Sequence, residues 1–160
     1  MRKCIILVLS LLFTVHLYAP NSRKGIEIWE PTPVKNMELE NRKLRILKAI
    51  WWIEHPRTEE QAIQARYREN AVGRLQIRPI MVATVNQIVG YNKYYLQDRT
   101  DSVKSVEMFM IYQNYYNPRW DEKKAALLWN MGSNYMKAKK EHWENGLRYW
   151  NKISKILNTE

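Results

Sequence analysis

Residues 39–54, LENRKLRILKAIWWIE, decide how this chain folds. Their apolar side chains recur three or four positions apart at Leu44, Leu47 and Trp51, with three isoleucines that widen the stripe. This spacing predicts an amphipathic helix with one face on a core. The helix is expected to end at Glu54, because Pro56 biases the residue before it away from helical geometry.

Four further helices are predicted downstream, the first three from start or stop signals at their ends and the last from the spacing of its apolar residues. They run from Pro79 to Gly90, from Asp101 to Tyr116 or Asn117, from Asp121 to Gly132, and from about Glu144 to Leu157. Residues 57–78 are polar and broken by Gly73, which predicts an irregular segment or a short β-hairpin. The expected fold class is therefore mainly α, with one domain over residues 39–160.

The chain has 160 residues, enough for one compact domain beyond a short appendage. Lys and Arg outnumber Asp and Glu by 26 to 16, so the formal net charge is +10. This charge favours a polyanionic partner: nucleic acid, an acidic membrane surface or an acidic cell-wall polymer. Cys4 is the only cysteine, which excludes intrachain disulfides and a cysteine-rich zinc site. The histidines have no metal-ligand spacing, and neither a metal nor a cofactor is expected.

The N-terminus has the pattern of an export signal. Residues 1–19 carry two basic residues and then an apolar run that is short for a membrane span. Residues 1–19 therefore predict a signal peptide or an N-terminal anchor. Residues 20–38, which are polar and contain Pro31 and Pro33, predict a linker. The expected location is the periplasm or cell envelope, with membrane association through this segment.

Glu54 is the first candidate for chemistry. A carboxyl at the C-terminal end of a helix, beside Trp51 and Trp52, is expected to have a raised pKa, because desolvation and the helix dipole both disfavour its charge. A carboxyl that stays protonated near neutral pH can serve as the general acid of glycosidic bond cleavage. A glutamate at a helix end is also compatible with a solvated surface group.

Two later motifs follow Glu54 in a distinctive order: GRLQI at residues 73–77 and LWNMG at residues 128–132. With Glu54 they resemble the lytic transglycosylase (SLT) branch of the lysozyme-like superfamily. That family has a helix ending in a catalytic glutamate, then a Gly-Leu-Met-Gln motif and an Ala-Tyr-Asn-Ala-Gly motif. The resemblance covers about residues 40–157 and implies a lysozyme-like helical fold.

The resemblance also implies roles for the matched positions. Glu54 would be the general acid and base. Gln76 and Asn130 would hydrogen-bond sugar hydroxyls or N-acetyl groups, Trp129 would line the cleft, and Tyr149 would lie near the glutamate. The substrate would be peptidoglycan glycan strands, cleaved by a monomer between MurNAc and GlcNAc to leave 1,6-anhydroMurNAc ends.

His55 and Arg74 depart from the family pattern, where serine and leucine are usual. Both are expected to alter the groove edge and the choice of substrate.

Three alternatives stay open. Glu69, just before Gly73, is the candidate second carboxylate, which would make the enzyme a hydrolase of the lysozyme type. Its competing interpretation is a loop residue paired with Arg66 or Arg68. The domain could also be an inactive wall-binding protein on the same fold. Charge and interleaved aromatics suggest a nucleic-acid binder, which an export signal argues against.

Overall fold

The computed structural model describes residues 33–159, and the regular structure of this part of the chain is helical. The six helices are α1 Pro33–Glu54, α2 Glu59–Glu69, α3 Pro79–Val89, α4 Ser102–Tyr116, α5 Glu122–Met131 and α6 Lys140–Leu157. Short 3₁₀ turns occupy Leu96–Thr100 and Tyr135–Lys137. The predicted mainly-α class is confirmed.

Helix α5 lies at the centre of the fold. Five consecutive residues, 125–129, are buried, so this helix is enclosed on every side. It packs against α1, α4 and α6. Phe109 of α4 lies against it with its ring centroid 4.9 Å from that of Trp129. The C-terminal end of α5 is thereby fixed in the core, and it carries Trp129 and Asn130.

Helices α1 and α6 pack against each other. Ile46 and Ile50 of α1 and Ile153 of α6 are fully buried. Gly146 allows α6 to approach α5 closely, because a Cβ at that position would lie 2.1 Å from Sδ of Met131. This close approach positions the central part of α6 beside the end of α1.

Most helix ends agree with the sequence signals. Asp121 caps α5 by accepting a hydrogen bond from the backbone N–H of Lys124. Asp101 caps α4 in the same way, and Pro79 is the first residue of α3. The signals that determine these helix ends are local, since each depends on a side chain within three residues.

Helix α1 begins at Pro33, inside the segment that the sequence predicts to be a linker. The predicted signal or anchor over residues 1–19, with Cys4, lies outside the described residues. Within residues 33–159, no helix is long and apolar enough to cross a bilayer.

The prediction for residues 57–78 is wrong in its first half, where α2 forms a regular helix. Thr58 caps its start by accepting from the backbone N–H of Gln61, and Asn70 ends it in the left-handed conformation. No residue of α2 is buried. Its two large apolar residues, Ile63 and Tyr67, are both exposed, so the helix depends on its caps and its good helix formers rather than on an apolar face in the core.

The second half, residues 70–78, forms a tight turn that is called here the hairpin loop. One antiparallel bridge joins Val72 and Ile77. Arg99, itself buried, ties this loop to the 3₁₀ turn at Leu96–Thr100, because its Nη1 donates to the carbonyls of Asn70 (2.7 Å) and Ile77 (3.2 Å). The predicted β-hairpin is thus reduced to a single bridge with a side-chain anchor.

Candidate active site

A cleft of about 1040 Å³ brings together side chains from the end of α1, from α2, from the hairpin loop, from α3, from the end of α5 and from α6. Every site residue singled out from the sequence lines it: Glu54, Glu69, Gln76, Trp129, Asn130 and Tyr149. These residues are far apart in the chain, so only the packing of the helices brings them to one cleft.

Glu54 is the last residue of α1, and its side chain is half-buried in this cleft. The hydroxyl of Tyr149 donates a hydrogen bond to its Oε1 at 2.7 Å. Burial raises the pKa of Glu54 above its ordinary value and outweighs the Tyr149 hydrogen bond and the positive charge of Arg78, both of which lower it. The negative charge of Glu69 raises this pKa slightly, and Lys152 lowers it slightly.

The prediction that Trp51 and Trp52 desolvate Glu54 is wrong. Trp51 and Trp52 are both exposed, and neither ring lines the cleft that contains Glu54. Their rings instead lie beneath arginine guanidinium groups, with Arg74 5.0 Å from the ring centroid of Trp51 and Arg57 5.2 Å from that of Trp52. Side chains that lie far from Glu54 in the sequence, Tyr149 among them, form the wall of the cleft around its carboxyl.

Tyr149 is buried, and it reaches Glu54 from the middle of α6. Burial and the adjacent carboxyl raise the pKa of Tyr149 well above its ordinary value, so its hydroxyl stays protonated and donates. A donor fixed in this way orients the carboxyl of Glu54 and stabilises its ionised form.

Gln76 occupies the hairpin loop in a left-handed conformation, with φ of 50°. Its Nε2 donates to the carbonyl of Gly73 at 2.7 Å. Its Oε1 is buried and has no hydrogen-bond partner within the described part of the chain. Gly73 is required here, because its φ is +77° and a Cβ would lie 2.2 Å from the carbonyl oxygen of Arg99.

Trp129 and Asn130 form the part of the cleft contributed by α5. The Trp129 side chain is mostly in the core, where only 7% of the residue remains exposed. Asn130 accepts a hydrogen bond from Arg78 through its backbone carbonyl, at 3.3 Å. This contact connects the end of α5 to the hairpin loop.

Arg78 also lines the cleft, although no sequence motif singled it out. Its Nη1 lies 3.6 Å from a carboxylate oxygen of Glu69. Glu69 therefore pairs with Arg78 rather than with Arg66 or Arg68, the partners considered from the sequence. The only local signal for this placement is Pro79, which holds the preceding residue in extended geometry.

Three further polar residues of α6, in one row with Tyr149, were not predicted from the sequence. His142, Asn145, Tyr149 and Lys152 are spaced three or four positions apart and all line the cleft. Helical periodicity of polar residues predicts such a row in principle, since these spacings share one face. Tyr112 of α4 lines the cleft as well, and burial raises its pKa to about 12.

No cluster of three or more His, Cys, Asp or Glu side chains that could hold a metal ion occurs in residues 33–159. The chemistry available to the cleft is that of one partly desolvated carboxyl, Glu54, with an oriented hydroxyl and nearby cations.

Comparisons with protein-family models, with curated proteins and with solved structures each found no match to this chain. The resemblance to the lytic transglycosylase family consequently stays a prediction from three motifs of the sequence.

Proposed function

We propose that the chain is a peptidoglycan lytic transglycosylase with a lysozyme-like fold. It cleaves the β-1,4 bond between MurNAc and GlcNAc, uses Glu54 as its sole general acid and base, and leaves 1,6-anhydroMurNAc ends. The observation that carries this proposal is the environment of Glu54: a carboxyl with a raised pKa and a hydrogen bond from Tyr149, in the cleft that Gln76 and Asn130 also line.

The proposed reaction uses one carboxyl twice. Protonated Glu54 donates its proton to the glycosidic oxygen as the bond from that oxygen to C1 of MurNAc breaks, and GlcNAc leaves with a free 4-hydroxyl. The Glu54 carboxylate then accepts the proton of the MurNAc C6 hydroxyl, whose oxygen bonds to C1. The ring closes, no water is consumed, and Glu54 is protonated again for the next turnover.

The electrostatics of Glu54 support both halves of this cycle. Burial favours the protonated acid, which the first step needs. Tyr149 and Arg78 favour the carboxylate, which exists between the steps. A pKa that is raised but opposed by these two groups suits a residue that must release and recover a proton within one turnover.

Hydrolysis is the second candidate, because Glu69 lines the same cleft. Its side chain is 63% exposed and is paired with Arg78. An exposed, paired carboxylate is less suited than a positioned one to activating water, and we therefore favour the route with a single glutamate.

The remaining expectations belong to the same proposal. The partner is the glycan strand of peptidoglycan, the site of action is the cell envelope after export, and no nucleic acid is involved. Wall remodelling, passage of a secretion or conjugation machine, and phage entry or lysis all use this chemistry.

The test is digestion of purified peptidoglycan with the full-length protein, followed by mass spectrometry of the released muropeptides. Glu54→Gln is the test variant, and Glu144→Gln on the exposed part of α6 is the matched control. We expect anhydro-ended products from the wild type and from Glu144→Gln, and a loss of at least about 10³-fold in Glu54→Gln.

Reducing-ended products that Glu69→Gln abolishes would replace the proposal with hydrolysis. Absence of products from a folded wild-type protein that binds peptidoglycan would support the inactive wall-binding alternative instead.

A further inference from the structure

A second groove, of about 610 Å³, adjoins the active-site cleft. His55, Pro56, Ala71 and Gln76 line both of them, so the two are continuous at these residues. The second groove runs between the start of α2 and the hairpin loop. A ligand in the cleft that carries a side branch near Gln76 would reach it directly.

The charge of this groove is strongly positive. Arg57, Arg66 and Arg74 line it, and Glu59 is its only acidic residue; we call it the arginine groove. All three arginines are exposed. Among the described residues, none of the three forms an ion pair with a carboxylate. Their charges are therefore available to a ligand.

Two of these arginines are held in place before any ligand binds. The guanidinium of Arg57 lies over the ring of Trp52 and that of Arg74 over the ring of Trp51. Cation–π contacts of this kind restrict the side chains and leave the N–H edges free to donate. Planar guanidinium groups pair in a bidentate manner with carboxylates, which makes a carboxylate the matching ligand group.

A second observation reinforces the positive field. Arg99, buried behind the hairpin loop, donates to backbone carbonyls, and its pKa is lowered by burial and by the charge of Arg66. Arg66, which lines the groove, therefore lies in a positive field to which Arg99 contributes, and an anion bound beside Arg66 would reduce that field.

A neutral chain of N-acetylated sugars has no negative charge to pair with these arginines. The peptide substituents that MurNAc carries in peptidoglycan have such charges, because they end in carboxylates, and they branch from the strand. We propose that the arginine groove binds the carboxylates of these peptide substituents, so that the protein selects peptide-bearing strands. This inference rests on the proposed function, since it assumes that the cleft binds the glycan backbone.

The experiment measures binding separately from cleavage. Full-length Glu54→Gln protein is titrated with solubilised glycan strands that carry their peptides, and with the same strands after conversion of the peptide carboxylates to neutral methylamides. We expect the anionic strands to bind about tenfold more tightly. The double variant Arg66→Gln/Arg74→Gln is expected to lose this preference, and an Arg66→Lys/Arg74→Lys protein to regain part of it.

Arg119→Gln is the matched control, because Arg119 is exposed and lines neither the cleft nor the arginine groove. It should retain the full preference. The exchanged arginines are exposed, so circular dichroism spectra are expected to stay those of the parent.

Equal affinity for anionic and methylamidated strands would overturn the inference, as would a preference that survives the double variant. Competition by polyphosphate as strong as by the anionic strands would assign the groove to phosphate and would also overturn it. Selective binding by Glu54→Gln, together with a wild-type protein that cleaves neither kind of strand, would support the inference and count against the proposed reaction alone.

Discussion

The hydroxyl of Tyr149 lies 2.7 Å from Oε1 of Glu54 and donates to it, which joins two residues that are 95 positions apart. This single contact links α6 to the end of α1. It lowers the pKa of a carboxyl whose pKa is raised by burial. These are the two largest effects on the pKa of Glu54, to which the charges of Arg78, Glu69 and Lys152 add.

Removal of this hydrogen bond should change the pH profile of the proposed reaction. In Tyr149→Phe the group that favours ionised Glu54 is lost, so the pKa of Glu54 rises further. The alkaline limb of kcat/KM, where the general acid loses its proton, is expected to move to higher pH by about half to one unit. Tyr112→Phe removes another tyrosine hydroxyl from the same cleft, one that does not contact Glu54. The alkaline limb of kcat/KM in this variant should stay at the wild-type pH. An unchanged limb in Tyr149→Phe would contradict the assignment.

Glu54 should also affect stability in a pH-dependent manner. Its folded pKa is raised, so between the unfolded and folded pKa values the native state binds more protons, and wild-type stability falls as pH rises through that window. Glu54→Gln removes this penalty and keeps an oxygen for Tyr149. We expect it to be more stable than wild type in urea at pH 8 and equal to it at pH 4. Glu144→Gln keeps Glu54 and should follow wild type at both pH values; a Glu144→Gln protein that gained stability at pH 8 as Glu54→Gln does would remove the burial explanation.

Two glycines with nearly the same backbone conformation separate steric contact from conformational strain. Gly73 has φ of +77° and Gly90 has φ of +84°, but only at Gly73 would a Cβ meet other atoms. Gly90→Ala should cost about 1 kcal/mol of unfolding free energy. Gly73→Ala should cost about 3 kcal/mol, because the carbonyl of Arg99 must also move. Equal losses in urea denaturation would mean that the hairpin loop shifts freely.

Gln76 should matter more for activity than for stability. In Gln76→Ala the hydrogen bond to Gly73 is lost, but so is the buried, unpaired Oε1, and the two effects offset each other within about 1 kcal/mol. Loss of the proposed hydrogen bond from Gln76 to the sugar is expected to lower kcat/KM about tenfold. A melting temperature that falls steeply while kcat/KM holds would make Gln76 a structural residue only.

The sequence was sufficient to predict the helices whose start and stop signals are local. Asp101 and Asp121 cap their helices through hydrogen bonds to the next few residues, and Pro79 starts a helix by its own ring geometry. The apolar spacing around Leu47 likewise depends on neighbours within the same helix. Helix α2 was not predicted, because its sequence is polar apart from two large apolar residues, Ile63 and Tyr67, and both of these stay exposed.

The order of Glu54, the GRLQI motif and the LWNMG motif by itself predicted that these residues share one site. Only the tertiary structure decided how they meet: that Tyr149 orients Glu54, that Arg78 pairs with Glu69, and that Trp51 and Trp52 lie outside the cleft. The physical reason is that these contacts depend on how the helices cross. The close packing at Gly146 and the hydrogen bonds of Arg99 determine that arrangement. A helical period gives the face of one helix, whereas the partner of that face is chosen by the packing of the whole core.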